Sequence, residues 1–72
     1  MTKKHFQDMA INFGYAMRDM SDAELVGATT MVEAFMESAR KANPRFNADT
    51  FTLWVSQVRD RKRDLMGKLV KG

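Results

Sequence analysis

Few residues in this chain are of the types that carry out catalysis. There is no cysteine and one histidine, His5, among 72 residues. A disulfide framework, a Cys-ligated zinc site and a thiol nucleophile are therefore excluded, and a zinc site built from protein ligands lacks its usual donors. No Ser/His/Asp spacing, glycine-rich phosphate loop or HExxH helix occurs. Glu33 and Glu37 are one helical turn apart, a common spacing on solvated faces, and no acidic pair has a context that would tune a carboxyl for acid–base work. The inventory points away from an enzyme, a cofactor and a small-molecule substrate.

Residues suited to contact are better represented. Arg59, Arg61, Lys62 and Arg63 form a basic run that, with Arg40, Lys41 and Arg45, could neutralise phosphates and release counterions. On a helix turning about 100° per residue these cations spread around the circumference, whereas a groove-binding helix needs them on one side. Asp60 and Asp64 also fit a solvated segment, so DNA or RNA binding is the second reading. Ile11, Tyr15 and Arg18 follow an i, i+4, i+7 spacing on the side of one helix opposite its core stripe. Aromatic and arginine side chains of this kind dominate binding hot spots. Leu65, Met66 and Leu69, followed by Val70, make a further apolar patch near the end of the sequence. These six residues are the candidate protein-binding set.

Three helices must position them, and the expected fold is an all-α three-helix bundle in a single domain over 1–72. Phe6, Met9, Ala10, Phe13, Met17 and Met20 share one stripe of a helix over about 3–20. Gly14 interrupts it at a cost of about 1 kcal/mol relative to alanine, a sign of a close backbone approach. Ser21 and Glu24 form a capping box that opens a second helix over 22–42. Its main face is Leu25, Ala28, Thr29, Val32, Phe35, Met36 and Ala39, and its back is small and nearly uncharged. Arg40 and Lys41 suit its last turn, and Asn43-Pro44 stops it. Asn47 caps a third helix, with Phe46 placed to staple onto Phe51. Phe51, Trp54, Val55 and Val58 continue its face. Lys62 breaks the stripe, which resumes with Leu65, Met66 and Leu69, so the expectation is one long helix over 48–70 whose last turns project from the bundle. Phe6, Phe13, Met17, Leu25, Val32, Phe35, Phe51, Trp54 and Val58 are the expected shared core. Most of the seven methionines fall on the same stripes and read as core filling.

A single core of this size supplies only about 3 to 5 kcal/mol, which makes a homodimer a natural alternative assembly. Charge is unevenly spread: residues 1–39 hold three basic and six acidic side chains, residues 40–72 nine basic and three acidic. An acidic half and a basic half suit head-to-tail complementarity or a basic binding surface. No apolar run approaches the roughly 18 to 20 residues of a membrane span, and the opening MTKKHFQDMA has no apolar signal core. The expected location is the cytoplasm, with no membrane partner.

Two segments carry a resemblance. Lys3-Lys4-His5-Phe6, continuing to Met9-Ala10, and Ala42-Asn43-Pro44-Arg45-Phe46-Asn47 with Phe51 resemble the KKHF opening and the NPRF-(N/D)-x-x-x-F segment of short bacteriophage and prophage proteins. Their second segment often runs into a cysteine, which this chain lacks. The resemblance implies a phage source and a helical hairpin and carries no activity or site. Small size without catalytic groups then suggests an inhibitor or modulator that binds a host or phage protein, of host-takeover or anti-defence type, in the cytoplasm of the bacterial host.

Overall fold

The computed structural model describes residues 3–70, which form an all-α bundle of three helices: α1 (Lys3–Ala16), α2 (Asp22–Ala42) and α3 (Ala48–Arg59). Its Cα envelope measures 33 × 29 × 15 Å. The thin dimension is little more than two helices deep, since packed helices lie roughly 8 to 10 Å apart, and every helix keeps a solvent face.

Local chemistry sets the element boundaries. Glu24 N–H donates to Ser21 Oγ at 3.3 Å and Ser21 N–H donates to Glu24 Oε1 at 3.0 Å, which closes the capping box of α2. At the other end of α2, Phe46 N–H donates to Asn43 O at 2.9 Å and Arg45 N–H to Asn43 Oδ1 at 3.0 Å, a turn around Pro44. Thr50 N–H donates to the Asn47 cap at 3.0 Å. The Phe46 and Phe51 ring centroids lie 5.5 Å apart, so the expected staple is present.

Ala10, Met17, Val32, Ala39, Phe51, Val55 and Val58 are the buried core. Phe6, Phe13, Leu25, Phe35 and Trp54 are half-buried and pack against it, so all nine expected core residues are found there. The Phe13, Phe35 and Phe51 rings meet in pairs at 5.4 to 6.1 Å between centroids, distances at which edge and tilted arrangements are favourable. α1 and α3 are the most intimately packed pair, and Gly14 explains why. A Cβ built there would stand 2.6 Å from Val58 Cβ and 2.7 Å from Val55 O.

Two helix boundaries differ from the sequence expectation. α1 ends at Ala16 rather than near Met20: Arg18 N–H bonds Tyr15 O at 3.2 Å and Met20 N–H bonds Met17 O at 3.3 Å. These tighter i to i+3 bonds release the chain in time for Ser21 to take the extended backbone that an N-cap requires. The larger correction concerns α3, which stops at Arg59; no long helix projects from the bundle over 48–70. Arg61 adopts a left-handed backbone, φ 62°. Lys62 N–H then donates to Gln57 O at 2.8 Å and Arg61 N–H to Val58 O at 3.1 Å, the paired bonds of a Schellman cap. Beyond it the chain folds back in a small antiparallel loop bridged between Arg63 and Leu69.

Candidate interaction surface

Residues 60–70 are held in place by several polar contacts. The Asp64 carboxylate accepts from Met66 N–H and Lys68 N–H, each at 2.9 Å. Gly67 N–H donates to Asp64 O at 3.0 Å, and Gly67 takes φ 85°, a conformation glycine adopts without steric cost. Asp64 N–H to Lys68 O and Val70 N–H to Lys62 O, both 2.8 Å, close the loop. Arg63 fastens it to α3: its guanidinium lies 3.9 Å from the Trp54 ring centroid, and its Nε donates to Gln57 Oε1 at 3.0 Å. A second bond from Arg63 reaches Gly67 O. Asp64, whose side chain can close a turn on its own backbone, and the glycine three residues later are a turn signal that could have found this loop, but the helical periodicity through Leu69 overrides it in the sequence.

Arg18 attaches the same loop to α1. Its Nε donates to Val58 O at 2.8 Å and its NH2 to Arg63 O at 3.4 Å, so a cation supplies a hydrogen bond at the carbonyl end of α3. Its guanidinium also lies 5.5 Å from the Tyr15 ring. A Cβ built on Gly67 would come within 3.6 Å of Ile11 Cδ1 and 3.0 Å of Trp54 Cζ3. The fold thus brings Ile11 of α1 and Arg18 just after it against the loop that carries Leu65, Met66 and Leu69, although they are far apart in sequence. Arg18 and Ile11 are half-buried supports, whereas Tyr15 is 56% exposed, Leu65 49%, Met66 84% and Leu69 61%.

The basic residues are not gathered in the same way. Arg59 pairs with Asp60 at 3.1 Å and Arg61 approaches Asp19 at 4.0 Å. Arg63 is committed to Trp54, Gln57 and Gly67, which leaves Lys62 as an exposed cation of this run. Arg40, Lys41 and Arg45 are exposed beyond the opposite end of α3, which spans about 18 Å at 1.5 Å per residue. His5 is exposed on α1. Among the described residues no group of three His, Asp or Glu could hold a metal ion, and no helix is long and apolar enough to cross a membrane.

Comparison with family models, with curated proteins and with solved structures finds no match to this chain.

Proposed function

We propose that this chain is a small non-enzymatic interaction protein that binds a host or phage protein and modulates or inhibits it in the bacterial cytoplasm. The observation that carries the reading is the folded-back segment. Hydrogen bonds and a cation–π contact fix its backbone against two helices, yet its large apolar side chains face solvent. Burying one Leu-sized side chain contributes about 1.5 to 3 kcal/mol, and a rigid apolar cluster loses little entropy when a partner covers it. Tyr15, exposed beside the Arg18 that ties the segment to α1, adds a large contact area with a polar tip. A second copy of the chain is the alternative occupant of the same surface.

The test is a pull-down from nuclease-treated host lysate with the wild type and with Leu65→Asp combined with Leu69→Asp. The proposal expects a protein retained by the wild type and lost by the double variant, whose circular dichroism keeps the helical signal because neither residue lies in a helix. Retention by the double variant would overturn it. A mass that halves in sedimentation when these residues are replaced would instead assign the surface to a homodimer.

Nucleic-acid binding stays the second reading, on the strength of the basic second half of the sequence. It requires log K to fall steeply with log salt, by about one unit of slope for each phosphate contact. A gel-shift titration of the wild type against Arg61→Gln with Lys62→Gln separates the two readings: nanomolar affinity at physiological salt, lost in the variant, would favour nucleic acid.

A further inference from the structure

The two sequence segments that carry the phage resemblance meet at one cavity of about 390 Å³ between the start of α1, the α2–α3 turn and α3. Phe6, Phe46, Phe51 and Trp54 supply its apolar walls, and Lys3 and Arg45 are its charged lining residues. Phe6 and Phe46 lock against each other at 4.7 Å between centroids, and Asn43 fixes the backbone of Arg45 through its side chain at 3.0 Å. No carboxylate lines the cavity. Helix capping accounts for Asn47, but it leaves unexplained why Lys3 and Arg45 flank the same aromatic hollow.

From this geometry we infer that the cavity is a recognition pocket for a short acidic segment of a partner protein, seating one large apolar side chain between flanking carboxylates. Two cations with no opposing acid select a negatively charged occupant, because like charge at such an edge disfavours the wrong partner. Ligand pockets run from roughly 300 to 1,000 Å³, and a hollow at the low end suits one side chain with its adjoining backbone. The inference goes beyond the protein-binding reading: the cavity shares Trp54 with the folded-back segment, but its test uses no captured partner and turns on Lys3 and Arg45, which lie outside that segment, so the two can fail independently.

Trp54 is the sole tryptophan of the chain and lines the cavity, so its fluorescence reports occupancy by a probe that contains none. The probe is the acetylated, amidated peptide Asp-Glu-Phe-Glu-Asp, compared with Asn-Gln-Phe-Gln-Asn, with Asp-Glu-Ala-Glu-Asp and with phenylacetate. The acidic phenylalanine peptide should give a saturable change below about 1 mM at low salt. Affinity should fall about tenfold or more with either altered peptide, and likewise when Lys3→Gln and Arg45→Gln are combined in the protein. Both substitutions are at exposed positions, and a melt unchanged from wild type shows that the fold survives them. No saturable change, an equal response to the uncharged peptide, or undiminished binding by the double variant would each overturn the assignment. Phenylacetate binding as tightly as the peptide would assign the pocket to a small aromatic acid instead.

Discussion

Arg61 is the residue whose backbone is hardest to reconcile with its type. A left-handed conformation costs an L-residue roughly 1 to 2 kcal/mol, and Arg61 pays it so that the chain can leave α3 in a Schellman cap. Its ion pair with Asp19 spans 4.0 Å between largely exposed groups and offsets little of that cost. Arg61→Gly should therefore raise stability by about 1 kcal/mol, read as a higher denaturation midpoint with an unchanged slope. Glu24 has a different signature. Hydrogen bonds from the Ser21 backbone, then from its side chain, hold the Glu24 carboxyl below its ordinary value of 4.5. A depressed folded value means that the stabilisation is complete above the unfolded value and is lost as pH falls through the folded one. Glu24→Ala should thus melt below the wild type at neutral pH, with the gap narrowing under acid; paired melts across the carboxylate range check this.

Among the elements, α1 and α3 depend on Gly14. Alanine there would gain about 1 kcal/mol of helix propensity, but its methyl would meet Val58 Cβ and the Val55 carbonyl well inside contact distance. Overpacking of this kind costs typically about 1 to 3 kcal/mol, so Gly14→Ala should be net destabilising, visible as a lower thermal midpoint. The sequence marked Gly14 because glycine inside an amphipathic stripe has few other uses, and it marked α2 because Ser21 and Glu24 satisfy backbone groups locally. The end of α3 was not legible in the same way. Periodicity carries Leu65, Met66 and Leu69 onto a continued stripe, whereas the bonds that stop the helix come from Arg18, distant in sequence, and from an arginine in a glycine-like conformation. The candidate surface was half legible. Both of its parts stood out as apolar or aromatic clusters, but their meeting depends on the fold-back and could not be read from either.

At the scale of the whole molecule, the core is small and its half-buried rings carry much of the packing. Phe35 touches the Phe13 and Phe51 rings, and its replacement by alanine should cost about 3 to 5 kcal/mol. That approaches the entire stability expected of a chain this short, so Phe35→Ala should be largely unfolded by circular dichroism at room temperature. Residues 60–70 leave the helix and return to α1 and Trp54, and this fold-back builds the apolar surface. Nuclear magnetic resonance of the intact chain tests this most directly, through nuclear Overhauser contacts and ring-current shifts at Gly67. The fold-back requires upfield Gly67 α-protons with contacts to the Trp54 ring and to Ile11, and non-helical carbon shifts from Arg61 to Val70. Continuous helical shifts through Leu69, with no contact between Gly67 and Trp54, would contradict it.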